Sequence, residues 1–439
     1  MDVSLPDTDS RLTERFGRLV QEHMGHGHNT AAGPRTLPSH ASAFASTQAA
    51  WRFYRNERLT LTKLAEPLLV CARQQAKNCD RYALIVHDWS NLDYRLHSLK
   101  KDRIVLGNAD EIGYELRTAL LVSDRGEPLA PLCQDLRAAD GVFSSRHEDV
   151  QPSASCLDEL EPVLSFADAL DLGVPTVHII DREADSVAHY RQWQAAGHLF
   201  LVRADAERTV KHQGKNRDLP AVVALLARRK AFRDTREVDW HGKRARQWIA
   251  ETEVTLDRPA FPHRVGANGK KKRVKVPGPP ITLRLIVSRI YDEDGRLLAE
   301  WLLLSNAPSE VDAAEIALWY YWRWRIESFF KLLKGAGQHV EQWQQETALA
   351  LARRLLVASM ACVLIWQLAR SSAPEAVRLR SLLIRLSGRQ MKWGVKFTEP
   401  ALLAGMWVLL AMLEVLEQHE VTDLQQLATF ALAGSSNTS

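Results

Sequence analysis

Four residues of the segment Trp319–Gly335 carry side chains that could bind a phosphate and a metal ion. Arg323, Glu327 and Lys334 follow Tyr320 at offsets of three, seven and fourteen residues. At about 100° per residue, these positions fall within roughly 60° of one another on a helix. Glu327 could then hold a metal ion while the other three side chains hold phosphate oxygens. A charged helix face with an Arg323–Glu327 pair is the alternative.

Two aspartates could supply further oxygen ligands. Asp88 and Asp181 each follow an apolar run of strand length, and polar residues at the carboxyl ends of strands face the crevice where sites are built. Two-metal phosphoryl transfer needs hard oxygen ligands around ions about 4 Å apart. Asp88, Asp181 and Glu327 would meet that need. Either aspartate could instead cap a strand end, and among 53 acidic residues such a trio is a weak signal.

The elements that must position these residues form a mixed α/β pattern. From Arg81 onward, short apolar runs alternate with helical or turn segments. Residues 206–299 contain alternating runs and two hairpin signals, His241-Gly242 and Asp294-Gly295, which predict an inserted β-rich subdomain. Its basic loop, Gly269–Pro280, is either a solvated loop or a clamp on DNA phosphates.

Both ends of the chain are predicted to be helical. A helix starting near Ser46 carries Trp51 together with Arg52 and Arg55, which suits either a DNA-contacting surface or a solvated basic face. The C-terminal third has few strand signals. We divide the chain into a helical N-terminal region (1–75), a mixed α/β region (76–345) and a helical C-terminal region (346–439).

Composition narrows the class of protein. The net charge of +4 permits an anionic partner. The five cysteines have neither zinc-site nor disulfide spacing, and a solvated turn accounts for His23, His26 and His28. We expect a cytoplasmic, nucleoid-associated protein without a secretory signal. The longest apolar runs, Leu355–Leu368 and Ala401–Leu413, are shorter than the roughly 20 residues of a membrane span and predict buried helices.

The motifs together resemble the DDE transposases of cut-and-paste bacterial insertion sequences. The resemblance lies in HDWSNLDY at Asp88, in IIDREAD at Asp181, and in the Y-x2-R-x3-E-x6-K pattern that begins at Tyr320. It extends over most of the chain, from about Arg11 through WRFYRNERL and into the C-terminal helices. It implies an RNase H-like catalytic core with a β-rich insertion, flanked by a helical module for DNA ends and a dimerisation region.

The resemblance also implies a reaction and a set of site residues. Asp88, Asp181 and Glu327 would hold two Mg²⁺ or Mn²⁺ ions. A homodimer would pair two transposon ends, nick one strand, form and reopen a hairpin, and join the ends to target DNA. Phosphates would be held by Tyr320, Arg323 and Lys334, a flipped base would stack on Trp301, and Arg52 and Arg55 would contact the end.

Several alternatives remain open at this stage. Trp301 could be an ordinary core residue at the start of a strand. A structure-specific nuclease on the same core would use the same carboxylates for hydrolysis without joining. A decayed transposase that binds DNA as an inhibitor is the other candidate, although the triad and the N-terminal module look intact. Glu183 and Asp185 of the DREAD motif are expected to cap the next helix.

Overall fold

The computed structural model describes residues 5–25, 43–152, 157, 159–240, 242–261, 263–265, 271–392 and 394–433. It is mixed α/β, as predicted, with a large central sheet. The strands are β1 (Ala83–Asp93), β2 (Ile104–Val105), β3 (Ile112–Ser123), β4 (Pro128–Ala138), β5 (Gly141–Ser144), β6 (Thr176–Ile180), β7 (Leu199–Arg203), β8 (Thr209–His212), β9 (Lys215–Asp218), β10 (Arg233–Trp240), β11 (Lys243–Leu256), β12 (His263–Val265), β13 (Lys271–Arg273), β14 (Ile281–Tyr291) and β15 (Leu297–Ser305).

Helices lie before, between and after these strands. They are α1 (Ser10–Gly25), α2 (Ala43–Arg55), α3 (Leu61–Ala76), α4 (Leu160–Asp168), α5 (Val187–Ala196), α6 (Leu219–Arg228), α7 (Ala313–Trp322), α8 (Trp324–Leu333), α9 (Ala348–Arg370), α10 (Pro374–Ser387), α11 (Glu399–Leu416) and α12 (Val421–Ala433).

The first part of the sheet places the two predicted aspartates side by side. Its order is β5-β4-β3-β1-β6-β7. The pairs β4–β3 and β3–β1 are antiparallel, whereas the pairs β1–β6 and β6–β7 are parallel. Because His87 is in register with Ile180, Asp88 and Asp181 are the next residues on neighbouring strands. Such strands lie about 4.8 Å apart.

The expected position of Asp88 at the end of a strand is wrong. Asp181 follows the last residue of β6, as predicted, but Asp88 lies in the middle of β1. The reason is that β1 continues past its parallel ladder with β6. It stays paired with β3 as far as Asp93. At Asp88, therefore, only the pairing with β6 has ended.

The strands of residues 206–299 extend the same sheet. The order continues β7-β15-β14-β11-β8-β9, and β10 pairs with β11. Gly295, with φ of 77°, turns the chain between β14 and β15, which confirms that hairpin signal. The β10–β11 hairpin also forms, with Trp240 opposite Lys243; His241 itself lies outside the described residues.

The basic loop is more ordered than a solvated loop. Lys271–Arg273 form β13, which pairs with β12, and the backbone of Val276 exchanges two hydrogen bonds with that of Ala260. Arg191 donates from Nε to the carbonyl of Pro279 over 2.7 Å. Backbone pairing therefore holds this basic segment against the protein, although residues 269–270 lie outside the described part.

Helix α9 is the apolar centre of the helical region. It has the length and composition of a membrane span, but 89% of its most apolar window is buried within the protein, as in the core helix predicted for Leu355–Leu368. Residues of α1, α3 and β1 share its hydrophobic cluster. Helix α11 is buried only over its first turns, and Trp407, Met412 and Leu413 are exposed, so the prediction of a buried helix is wrong for its second half.

The expectation of a solvated turn is wrong for His23. This residue lies in α1 and is buried, with Nδ1 2.7 Å from the side-chain oxygen of Gln338 and Nε2 3.3 Å from the hydroxyl of Tyr54. The polar partners come from distant parts of the chain, so local sequence does not reveal them. His26 and His28 lie outside the described residues.

Candidate active site

The predicted helix through Trp319–Gly335 is divided at Arg323. Helix α7 ends at Trp322 and α8 begins at Trp324. The N–H of Arg323 bonds to the carbonyl of Tyr320, three residues back, and this tighter turn interrupts the regular α-helical ladder. The prediction of one uninterrupted helix is therefore wrong. Arg323 nevertheless keeps helical backbone angles, and Tyr320, Arg323 and Glu327 still meet, whereas Lys334 lies beyond the end of α8.

The Arg323 guanidinium lies among the three predicted carboxylates. Its Nη1 is 2.7 Å from Oδ2 of Asp88, and its Nη2 is 3.2 Å from Oδ2 of Asp181 and 3.8 Å from Oε1 of Glu327. Arg323 itself is only 6% exposed. Three carboxylates that are distant in sequence thus surround one guanidinium.

Tyr320 completes this cluster. Its buried hydroxyl donates a 3.0 Å hydrogen bond to Oδ1 of Asp181. Arg203, at the end of β7, brings a second guanidinium to within 3.8 Å of the same oxygen. The sequence analysis did not single out Arg203; the signal was its place at the end of the next parallel strand.

The pKa values of the two aspartates are shifted in opposite directions. Burial raises the pKa of Asp88 to about 6, against the opposing effect of Arg323. Burial also acts on Asp181, but Arg323, the Arg182 N–H, Tyr320 and Arg203 together outweigh it and lower the pKa of Asp181. Near neutral pH both carboxylates can offer ionised oxygens, and Asp88 is the one whose charge is sensitive to mild acid.

The donor chemistry of this cluster fits divalent metal ions. Carboxylate oxygens are the ligands that Mg²⁺ and Mn²⁺ prefer, and here they already converge on a cation. Arg323 lies between them. Among the described residues, the group of potential ligand atoms that lie within 4.8 Å of one another is a different one, Asp168, His178 and His198.

Lys334 contacts the backbone of β1. It follows the last residue of α8, donates from Nζ to the carbonyl of Asn91, and lies 3.4 Å from Oε1 of Glu341. Asn91 is three residues beyond Asp88 on the same strand. Lys334 is therefore placed along the strand that carries the first carboxylate.

Trp301 is buried at the other side of Tyr320. It lies within β15 and is 6% exposed. The centroid of its ring lies 5.3 Å from that of Tyr320 and 5.8 Å from that of Trp240. Its position is inside the strand and not at its start, because β15 begins at Leu297. In this structure the indole is buried against the Tyr320 and Trp240 rings.

Arg52 and Arg55 are exposed on α2, far along the chain from the carboxylates. Arg55 stacks over the ring of Trp51 at 4.0 Å and pairs with Glu346. Both side chains are available at the surface, and they are not part of the Arg323 cluster.

The expected capping role of Asp185 is wrong. Its side chain accepts a 2.7 Å hydrogen bond from the Tyr190 hydroxyl and pairs with Arg208, while Ser186 occupies the N-cap of α5. Asp185 therefore forms a largely buried ion pair with Arg208 and does not cap the helix. Glu183 is exposed in a short 3-10 helix that Asp181 caps.

Comparison with known proteins identifies the family. A family model described as a transposase DDE domain matches residues 138–364, just over half of the chain. The match includes Asp181, Tyr320, Arg323, Glu327 and Lys334, whereas Asp88 precedes it. A search of curated proteins found no match.

Among solved structures, the chain is similar to a piggyBac transposase in a synaptic complex with hairpin DNA. The TM-score is 0.38 and the sequence identity 8%, over 94% of this chain and 74% of that one. A likeness this distant supports no assignment. The assignment rests on the family model. The chain belongs to the DDE transposase family and is an enzyme of the DDE transposase type.

Proposed function

We propose that this enzyme carries out cut-and-paste transposition of DNA with Asp88, Asp181 and Glu327 as its metal ligands. The observation that supports this most directly is the convergence of the three carboxylates on Arg323. Two ions, Mg²⁺ or Mn²⁺, would activate the attacking oxygen and stabilise the leaving one when bound.

The sheet supports an RNase H-like core for this reaction. Three antiparallel strands, β4, β3 and β1, are followed by two parallel strands, β6 and β7, with helical connections between β5 and β7. We assign residues 76–345 to this core, residues 206–299 to its β-rich insertion, 1–75 to the DNA-end-binding domain, and 346–439 to a dimerisation region.

The charge of the cluster explains why the ions are needed. Three carboxylates outnumber the guanidiniums of Arg323 and Arg203, so the cluster by itself repels the polyanionic backbone of DNA. Divalent cations reverse that balance locally. Bound cations would also neutralise the charge that holds Arg323 between the carboxylates.

Arg323, Tyr320 and Lys334 would then hold the DNA phosphates. In the structure, Arg323 pairs with Asp88 and Tyr320 donates to Asp181. With cations on these carboxylates, both donors would be available for phosphate oxygens, and a guanidinium can bind two of them at once. Lys334, beside Asn91, extends the positive surface along β1.

The proposed reaction uses this single site in successive steps. Water attacks a phosphodiester at the transposon end and leaves a 3′ hydroxyl. That hydroxyl attacks the opposite strand, which forms a hairpin and releases flanking DNA, and water reopens the hairpin. The 3′ hydroxyl finally attacks target DNA. Each step exchanges one P–O bond for another, and two protomers would hold the two ends.

The structure adds a condition to the role proposed for Trp301. A base can stack on this indole only after Trp240 or Tyr320 moves, because both rings contact it. We infer that DNA binding opens this aromatic cluster. We also infer that Arg52 and Arg55 contact DNA from the surface of α2, where Arg55 would exchange its partner Glu346 for a phosphate.

The proposed function is tested with a plasmid that carries this gene and its native flanks. Wild type, Glu327→Gln and the matched control Glu315→Gln are each incubated with the plasmid and Mg²⁺. Glu315 lies on α7 and pairs with Arg81 near the surface. Denaturing gels separate nicked, hairpin and joined products, and sequencing maps the ends.

We expect wild type and Glu315→Gln to excise and rejoin DNA, and Glu327→Gln to bind the flanks without cutting them. Cutting without joining would favour a nuclease. Binding without any cutting by the wild type would favour a transposition inhibitor. Cutting by Glu327→Gln at the wild-type rate would exclude the assigned triad.

A further inference from the structure

A second group of side chains that could bind a metal ion lies on β6 and on the elements beside it. Asp168 ends α4, His178 lies in the middle of β6, and His198 directly precedes β7. One ligand atom from each residue lies within 4.8 Å of the others. His178 Nε2 is 2.9 Å from Asp168 Oδ1, and His198 Nδ1 is 2.5 Å from Asp168 Oδ2.

We propose that Asp168, His178 and His198 bind a transition-metal ion of the zinc type, at a site separate from the three carboxylates around Arg323. Imidazole nitrogen and carboxylate oxygen are common Zn²⁺ ligands, and three protein ligands with a water in the fourth position make a complete four-coordinate site. Mg²⁺ favours oxygen ligands and would not select this group.

The surroundings of both imidazoles support this assignment. His178 uses Nε2 toward the site, and its Nδ1 lies 2.9 Å from Nε2 of His87. His198 uses Nδ1 toward the site, and its Nε2 faces Glu161 at 3.9 Å and Ser165 at 3.5 Å. Metal-binding histidines ordinarily direct their second nitrogen to such a polar partner, which fixes the ring.

Burial and charge also suit an ion. His178 and His198 are buried, whereas the Asp168 side chain is 30% exposed and leaves a route for entry. The Asp168 carboxylate also accepts a hydrogen bond from the Thr176 hydroxyl. Its ion-pair partners among the described residues are the two histidines.

The proposed ion would join three elements that support the active site. It would tie the end of α4 to the start of β7 and to β6, where His178 lies three residues before Asp181. A hydrogen-bonded network without metal is the competing interpretation, because the present distances suit hydrogen bonds. The two interpretations differ in metal content, which can be measured without any DNA.

The experiment uses the full chain without an affinity tag, stripped of metal and titrated with Co²⁺ in excess Mg²⁺. Four-coordinate Co²⁺ has intense visible absorption bands, which an oxygen-ligated octahedral ion lacks. The variants are His198→Gln and Asp168→Asn. His212→Gln is the control for a buried histidine elsewhere, and Glu327→Gln is the control for the carboxylate site.

We expect these bands to saturate at about one Co²⁺ per chain, to be displaced by Zn²⁺, and to persist in both controls. His198→Gln and Asp168→Asn should each weaken binding at least tenfold. Absence of the bands from wild type would overturn the proposal even if a variant fails to fold. Bands that survive in folded His198→Gln and Asp168→Asn protein would overturn it as well.

Discussion

Asp88 gives the proposed active site a specific dependence on pH. A metal ligand must be ionised, and burial raises the pKa of Asp88 to about 6. The ionised fraction is then about nine tenths at pH 7 and about one tenth at pH 5. Metal affinity at the carboxylate site should therefore be about tenfold weaker at pH 5 than at pH 7. For an aspartate with the ordinary pKa of 3.8, the same change of pH would lower the metal affinity by only about 6%.

The measurement is Mn²⁺ binding, followed through the electron paramagnetic resonance signal of the free ion at pH 5, 6 and 7. Glu327→Gln is titrated in parallel and subtracted. Because this variant leaves Asp168 and its two histidines intact, the difference reports the carboxylate site alone. Equal affinities at pH 5 and pH 7 would refute the reasoning.

Replacing Arg323 provides an independent check on the same reasoning. Its guanidinium lowers the pKa of Asp88 and also competes with metal for the carboxylates. Arg323→Gln should therefore bind Mn²⁺ more tightly than wild type at pH 8. As the pH is lowered, the Mn²⁺ affinity of this variant should begin to fall at a higher pH than that of wild type, because loss of the guanidinium raises the pKa of Asp88 further. A curve that overlays the wild-type curve would show that Arg323 does neither.

Three further changes test the surroundings of the site. Trp301→Ala should lower the free energy of unfolding by about 3–5 kcal/mol in urea titrations; Trp301→Phe should stay folded and slow hairpin formation more than the first nick, and equal slowing would contradict its base-stacking role. Gly126→Ala should destabilise the protein more than Gly173→Ala in the same titrations, since both glycines have positive φ but only at Gly126 would a Cβ meet the Trp322 ring, at 2.4 Å; equal losses would contradict the clash. Lys334→Gln should weaken binding of end DNA and reduce its salt slope by about one, measured by fluorescence anisotropy, and an unchanged slope would exclude a phosphate contact.

Local pattern predicted most elements near the site. The apolar runs before Asp181 and before Ala204 are β6 and β7, and the alternating runs of the insertion are β11 and β14. Periodicity succeeds there because side chains alternate between the two faces of a strand whatever its partners are. The apolar centre of α9 was equally clear, since an uninterrupted apolar helix has to be buried.

Long-range register was not readable from the sequence. The position of Asp88 beside Asp181 depends on which strands pair with β1 and where each ladder stops. The same applies to His178 and His198, which the sequence analysis did not connect with Asp168 because they lie on three different elements. Asp185 has its partner Arg208 for the same reason, and only the fold reveals it.

By itself, therefore, the sequence determined the residue types, the class of fold and the family resemblance that the family match confirms. It also located the carboxylates and Arg323, because their chemistry and local spacing are properties of the chain. The tertiary structure decided that Arg323 divides two helices and lies among the carboxylates, and that Trp301 is enclosed by two aromatic rings. Such facts depend on contacts between residues that are distant in sequence, and the free energy of those contacts is settled only by packing.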